Sequence, residues 1–590
     1  MQNPDDFYKE QLELNQIASK RLFKQMSLLS TLRLSVFILA AVGIYFTFEQ
    51  WQVATVIGVL GIAIFLFLLS RYTDLKSKRA LHKRLVVINE DEIKIASGDF
   101  HDRADGAQFQ NPKHFYSLDI DLFGKGSFFQ FLNRTAIKEG TEKLTQQLLA
   151  NDISHIENRQ EAIQELASLP KWRQNYLAVA QGVEIEHSAK STITWLKNYQ
   201  PFLGKIQYAL SIGFSMASIV LLVLGIVEII PISIIGYWLL LGMGITGVYL
   251  KKINILAQHT EQAKDTFRQY ALLLNAIETS EFNSELLKTK QKLIQSENRK
   301  ASDIFSQFSK ALDALDNRNN LISAILGNGY FLIDIRNSYR IEQWITKYAD
   351  KVEDWFEVVT FFDAYNSFGN YAFNHQDFTY PKITNEPTTI SAEALGHPLL
   401  NSEKRVDSDL ELKEEQFFIV TGANMAGKST FLRSVALYIV MANVGLPVCA
   451  KESKYKPIKL ITSMRTTDSL TDDSSYFFSE LTRLKFVVDT IENDKNYFVI
   501  LDEILKGTNS TDKAIGSRKF VEKLVKQNAT GIIATHDLSL TEIEKELEAV
   551  KNYYFDAEII NDELYFDYKL KQGVCQNMNA SFLLKKMEIV

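Results

Sequence analysis

Charge is almost absent from four stretches of this chain, and the four come in two pairs. Leu34–Phe48 and Val53–Leu69 are separated only by Glu49-Gln-Trp-Gln52, and Tyr208–Ile230 and Ile232–Leu250 by little more than Pro231. A helix needs about 20 apolar residues to cross a bilayer core. The first run is short of that, with Trp51 placed for the interface, and the other three are near it. The pattern predicts two transmembrane hairpins, buried core helices being the alternative. Glu228 falls beside a turn, where an interface accommodates charge. Arg21, Lys24 and Arg33 precede the first pair, and Arg71, Lys76, Lys78, Arg79, Lys83 and Arg84 follow it. Lys197 and Lys205 precede the second, Lys251 and Lys252 follow it, and neither connecting turn carries Lys or Arg. Each hairpin is therefore expected to start and end in the cytoplasm, giving a multi-pass protein of the inner (cytoplasmic) membrane. The leader before Leu34 is too long for a cleaved signal peptide.

Between and after the apolar runs the periodicity changes. Residues 1–30 read as an amphipathic helix lying on the membrane surface, 31–71 as the first hairpin, and 72–114 as a charged helix and connector. From 115 to 206 the apolar spacing is helical, as in Leu144, Leu148 and Leu149, then Ile156, Ile163 and Leu166. Residues 207–251 form the second hairpin, and 252–380 a helical lever, in which no Gly or Pro between Lys251 and Leu326 predicts long uninterrupted helices. From 381 to 590 short apolar runs (Gln416–Val420, Asn496–Leu501, Gly531–Ala534) alternate with the helical stretches Phe431–Val440 and Phe477–Asn493. That alternation predicts an α/β domain with a parallel sheet.

Composition narrows the picture a little. A net charge of −6 over 590 residues gives no global basic signature for nucleic acid, and two cysteines, Cys449 and Cys575, exclude a disulfide framework and suit a reducing compartment. Aromatic content of 12%, with 38 Phe, fits a chain partly in lipid.

The chemistry sits in the α/β part. Gly422–Ser429 fits G-x-x-x-x-G-K-[ST] between a strand and a helix, the context a phosphate-binding loop requires. Gly422 and Gly427 allow turns that aim backbone N–H groups at phosphates. Lys428 supplies a charge for the β- and γ-phosphates and Ser429 a hydroxyl for Mg²⁺. The strand ending in Asp502-Glu503 offers a second Mg²⁺ ligand in Asp502 and a general base in Glu503. His536, after a third apolar strand, is placed to report the γ-phosphate, where a lone His would otherwise be structural. Ser475 reads either as an N-cap of the following helix or as a hydroxyl aimed at a partner chain's phosphate.

These motifs together resemble the MutS family of mismatch-repair ATPases. Residues 422–430 are similar to its G-P-N-M-G-G-K-S-T, with Ala423 and Ala426 in place of Pro and Gly. Ser475-Tyr-Phe-Phe-Ser-Glu-Leu481 resembles S-T-F-M-V-E-M, Leu501–Thr508 resembles L-D-E-I-G-R-G-T, and Ala534-Thr-His536 its A-T-H. Gly396-His-Pro398 is similar to the family's R-H-P turn. Asp121-Leu-Phe-Gly124, Leu132-Asn-Arg-Thr135, Gly140 and Arg159-Gln160 resemble the start of its helical core. The resemblance implies an ABC-like P-loop NTPase domain of MutS type, preceded by an all-α core and lever region. It implies that ATP is held by Gly422, Ala423, Asn424, Met425, Ala426, Gly427, Lys428, Ser429 and Thr430, with Mg²⁺ on Ser429 and Asp502. Glu503 would be catalytic, His536 a γ-phosphate sensor, and Ser475 a contribution across a homodimer with composite sites.

The chain departs from that family in two places. No Phe-x-Glu wedge occurs before residue 115, where the family has a mismatch-reading domain, and the first hairpin occupies that region. The second hairpin interrupts the helical region about where the family carries its DNA clamp. Three functions follow: a membrane-anchored MutS-like ATPase that retains (mismatched) DNA binding in repair or processing, a membrane-tethered ATP-driven switch acting on protein or lipid partners, and half of an ABC-type transporter. The last is weakened by the lack of L-S-G-G-Q. The Tyr568–Val590 segment resembles the family's closing helix only loosely.

Overall fold

A computed structural model describes residues 2–183, 189–295, 299–316, 318, 320–423, 425–465, 476–560 and 563–575. Two very long helices open the chain, α1 (Pro4–Phe46) and α2 (Trp51–Ala96), folded back on each other. Small residues let them approach closely: a methyl added at Gly61 would lie 2.9 Å from the Ala40 Cβ. Residues 4–30 run on into the first apolar stretch as one helix, with Phe7, Tyr8 and Met26 buried against protein and Leu14, Ile17, Phe23 and Leu28 exposed. Phe7 and Tyr8 pack edge-on against Phe373, and the Tyr8 hydroxyl donates to Asn374 Oδ1 at 2.7 Å.

A helical core follows: α3 (Phe128–Leu132), α4 (Lys138–Leu149), α5 (Ile156–Ala167), α6 (Pro170–Ala180) and α7 (Ala189–Asn198). The second apolar pair is α8 (Lys205–Ile226) and α9 (Ile232–Glu278), and α9 runs on as a lever well past the apolar part. Helices α10 (Glu285–Ile294), α11 (Ala301–Asp316) and α12 (Leu321–Phe331) lead to α13 (Ile333–Asn374), which is buried along much of its length. Aromatic rings knit α9, α11 and α13 together, with Phe308 stacked on Trp344 at 3.7 Å and Phe267 edge-on to both Phe305 and Phe308.

The lever is thus broken after Glu278, where the absence of Gly and Pro predicted continuity. The breaks are capped by carboxylates from elsewhere. Glu165 accepts from the N–H groups of Asn283 and Ser284 at 2.5 and 2.7 Å, and Glu278 accepts from the Ser302 N–H and hydroxyl.

Among the described residues, four helices are long and apolar enough to cross a membrane by length and composition: α1, α2, α8 and the Ile232–Glu261 part of α9. Their most apolar stretches are 0, 0, 22 and 11% buried, which does not fit interior helices.

The C-terminal domain carries two sheets. β1 (Lys382–Ile383), β2 (Thr388–Leu395), β3 (Ser408–Lys413) and, after α14 (Lys428–Val444), β5 (Glu452–Tyr455) form one in the order β1-β5-β2-β3. The other contains β4 (Phe417–Gly422), β6 (Lys459–Ser463), β7 (Tyr497–Asp502), β8 (Thr530–Ala534), β9 (Val550–Phe555) and β12 (Leu570–Gln572). Its order is β12-β9-β4-β8-β7-β6, parallel except for β12. Helices α15 (Tyr476–Asn493) and α16 (Ser510–Lys526) complete it, with a small β10–β11 hairpin (Glu558–Ile560, Glu563–Tyr565). The segment after Tyr568 begins as the edge strand β12, not as a helix; its remainder from 576 lies outside the described residues.

Helical core and sheet domain meet through the segment the family resemblance singled out. Asp119 accepts from the Thr462 hydroxyl (2.6 Å) and from the N–H groups of Met464 and Arg465 (3.1 and 3.0 Å), and Asp121 pairs with Arg465 at 2.6 Å. Asn151 exchanges hydrogen bonds with the Leu460 backbone at 2.8 and 3.0 Å.

Candidate nucleotide site

Ligand sites in parallel sheets form at the carboxyl ends of the strands, and here three such ends converge. β4 delivers the chain to the 423–427 loop, which turns directly into α14 at Lys428. Gly422 (φ 148°) and Gly427 (φ 104°) take conformations that side chains disfavour, and a methyl at Gly422 would sit 2.6 Å from the Phe555 carbonyl oxygen. Met425 adopts a left-handed φ of 69° and is exposed, whereas Ala426 is buried.

Lys428 is buried, and its Nζ donates to the carbonyls of Gly422 and Ala423, both at 2.9 Å. It also lies 3.3 Å from His536 Nε2. Burial draws its pKa down, opposed by the charges of Glu503, Asp502 and Cys575. The Ser429 hydroxyl donates to Asp502 Oδ2 at 2.7 Å, so loop and β7 present two oxygens side by side.

Glu503 stands just past β7 with a left-handed φ of 49°, its N–H bound to the Ala534 carbonyl at 2.9 Å. Its Oε1 is 2.7 Å from His536 Nε2, and Lys506 lies 3.8 Å from Oε2. The hydrogen bond from His536 holds the Glu503 carboxyl down to about 2, against the opposing effect of partial burial and helped by the charges of His536, Lys506 and Lys513. Lys428, His536 and Glu503 thus form one polar chain, and Ser429–Asp502 a second.

A cavity of about 460 Å³ opens beside these groups. Lys428, Ser429, Thr430, Glu503 and His536 line one side, and Gly396, His397, Arg405, Val406 and Tyr568 the other. Burial, with the nearby charges of Arg433 and Arg405, pushes His397 down to about 4, so it is neutral at ordinary pH. Asp407 holds Arg405 in place at 2.6 and 3.2 Å. Of the second side, only the Gly396-His-Pro398 turn stood out in the sequence. Arg405, Val406 and Tyr568 carry no local motif, the Lys404-Arg405 pair upstream of the loop being the nearest signal.

Glu480, on α15, was also missed as a contact. It is buried and accepts from the Lys506 N–H at 3.2 Å, tying that helix to the loop after Glu503. A methyl at Gly507 would lie 3.0 Å from the Phe477 Cβ, so the two segments touch closely. Gly422, Ala423, Met425, Ala426, Gly427, Lys428, Ser429, Thr430, Asp502, Glu503 and His536 therefore belong to one neighbourhood, while Asn424 and Ser475 lie outside the described residues.

Comparison with known proteins covers the same region. The family description MutS domain V matches residues 418–586, which contain the loop, both carboxylates and His536. A DNA mismatch repair protein MutS from Acetivibrio thermocellus is 31% identical over 212 residues, covering 35% of this chain and 24% of the relative. The human MutS protein homolog 4 is 31% identical over 245 residues, 40% of this chain and 25% of its own. Part of the chain is thus similar to MutS proteins, residues 418–586 through their domain V. A Staphylococcus haemolyticus DNA mismatch repair protein MutS is similar at 28% over 243 residues, 40% of this chain and 27% of the relative. The chain thus spans about a quarter of the length of the curated MutS relatives it matches. The match to MutS domain V lies wholly within the C-terminal domain.

Proposed function

We propose that this chain is a MutS-like ATPase anchored in a membrane, which converts ATP binding and hydrolysis into movement of its long helices. The observation that carries the reading is the convergence of Lys428, Ser429, Asp502, Glu503 and His536 at the strand ends of a parallel sheet, linked as two sets by contacts of 2.7–3.3 Å. The triphosphate lies along the loop, where Lys428 exchanges its two carbonyl partners for phosphate oxygens. The base and sugar take the cavity bounded by His397, Arg405, Val406 and Tyr568. Mg²⁺ fits the paired hard oxygens of Ser429 and Asp502, and bound there it would neutralise phosphate charge. Glu503 takes the proton of the attacking water, and His536, held against both Glu503 and Lys428, orients the carboxylate and senses the γ-phosphate.

Dimerisation across this face is supported by the exposed apolar side chains of Met425, Phe478 and Ile515. Membrane anchoring is supported by the bare apolar stretches of α1, α2, α8 and α9 and by the cations at their ends. Motion reaches those helices through α13, whose last turns grip α2. Glu92 of α2, buried, accepts from Arg134, Asn370 and Asn374 at 2.5–3.3 Å.

DNA as the substrate of that motion is the second reading, favoured by the likeness to DNA mismatch repair proteins. A salt series of binding to duplex, mismatched and branched DNA, with the full chain in lipid nanodiscs with and without ATP, separates the two. Phosphate release without DNA affinity at low salt removes the DNA reading. Binding that weakens steeply with salt and responds to ATP establishes it.

A further inference from the structure

Leu321-Ile-Ser-Ala-Ile-Leu-Gly-Asn-Gly-Tyr-Phe-Leu332 joins α11 to α13 without a single charged residue. Its helix, α12, has 11 residues and is therefore about 16 Å long, roughly half a hydrocarbon core. In water such a helix buries its apolar side chains. Leu321, Ile322 and Leu326 are instead 72, 70 and 46% exposed.

The neighbours of α12 are the apolar helices themselves. A methyl added at Gly242 of α9 would collide with the carbonyl oxygen of Gly329, and one added at Gly329 would lie 2.6 Å from the Leu239 Cγ. Backbones meet here as closely as small residues permit, a mode of helix packing suited to lipid. The Ser215 hydroxyl of α8 donates to the Phe331 carbonyl at 2.9 Å, and Asn328 Oδ1 accepts from the Asp334 N–H at 2.9 Å. Polar groups at the end of α12 are therefore satisfied inside the protein, as irregular backbone at membrane depth requires.

Depth follows from the helices it touches. Gly242 precedes Lys251 by nine residues and Ser215 follows Lys205 by ten. At 1.5 Å per residue, these contacts lie about 14 and 15 Å beyond the cations that mark the cytoplasmic side, near the middle of a core about 30 Å thick. Arg318, ahead of α12, donates to Asn254 Oδ1 at 2.6 Å and lies 3.6 Å from Asp334.

We infer that α12 is a re-entrant half-helix, seated among lipid acyl chains beside α8 and α9, which enters from the cytoplasmic side and returns there without crossing. The inference rests on the membrane reading above. It places the joint between two lever helices, α11 and α13, in the bilayer itself. Movement of the levers then changes how that joint sits in lipid.

The test uses variants of the full chain with one added cysteine, Ile322→Cys, Leu326→Cys, Leu241→Cys on α9 and Glu403→Cys on the C-terminal domain, each carrying a bimane label. Both native cysteines are buried, so the unsubstituted protein sets the labelling background. Retained ATP binding identifies the variants that fold, and two α12 positions guard against loss of one. In vesicles containing dibrominated phosphatidylcholine, labels replacing Ile322 and Leu326 should be quenched to within about twofold of the label replacing Leu241, while the one replacing Glu403 is not. Quenching at 241 with iodide-accessible, lipid-insensitive labels at 322 and 326 overturns the inference and leaves the membrane reading standing. Labels at 322 and 326 shielded from both quenchers would mean protein covers α12, a second copy or another chain, and also overturn it. Loss of lipid quenching at 241 as well would remove the membrane reading itself.

Discussion

Replacing Glu503 by Gln separates chemistry from binding. The backbone at this position is fixed by a left-handed φ of 49° and a hydrogen bond to Ala534, neither of which involves the side chain. Gln has the same shape and still reaches His536, so the variant keeps the site's form and loses only the proton acceptor. General-base catalysis contributes about 10²–10⁴-fold, so turnover should fall by that factor, equivalent to about 3–5.5 kcal/mol of barrier. Nucleotide affinity should be equal or tighter, because a negative charge beside the phosphates has gone while Lys428 and Ser429 are untouched. With its carboxyl held down to about 2, Glu503 stays ionised at every pH above about 4. Its protonation therefore accounts for none of any rate loss between pH 5 and 8. Phosphate release under saturating Mg-ATP and equilibrium binding of a fluorescent ATP analogue measure the two quantities on one sample. Turnover within twofold of the unsubstituted protein would refute the assignment of the base, and affinity weakened tenfold or more would refute the claim that the carboxylate stands outside nucleotide binding.

Two further predictions concern the helical frame. Glu92→Gln leaves Arg134 as an uncompensated buried charge and should cost about 3–5 kcal/mol, lowering the melting temperature at a fixed scan rate, whereas Glu90→Gln, two residues away and exposed, should not; equal melting of the two variants would show the pair is dispensable. Asp363, buried against the N–H groups of Ala136 and Ile137, is pushed up to about 7 by desolvation, the two hydrogen bonds opposing it and Glu139 reinforcing it. Its folded form holds the proton more tightly than the unfolded chain, so stability should decline as pH rises from about 4 through 7, by at most about 4 kcal/mol. Asp363→Asn should flatten that decline, and an unchanged slope of melting temperature against pH would contradict the assignment.

What the sequence made legible was local. The loop 422–430 is contiguous, and the ends of β7 and β8 are short apolar runs followed by polar residues, so Lys428, Ser429, Asp502, Glu503 and His536 could be named from spacing alone. The α1–α2 and α8–α9 pairs were legible because length and lack of charge suffice. Features built by distant residues were not. The break after Glu278 is held by Glu165 from more than a helix away, while Ser284, at the N-cap of α10, makes no side-chain cap bond. α12 is too short to register as a span and carries two glycines, so it read as part of a lever. Arg405 and Tyr568 come to the cavity from opposite ends of the domain. Asp119 looked like any acidic residue until Thr462, Met464 and Arg465 closed around it.

The central claim is that the loop at Lys428 holds Mg-ATP for hydrolysis. Phosphate release by the purified full chain in lipid nanodiscs, compared with Lys428→Ala at several Mg²⁺ concentrations, tests it most directly. Mg²⁺-dependent release that falls to background in the variant is the predicted result, and release that proceeds at the same rate without Lys428 would contradict it.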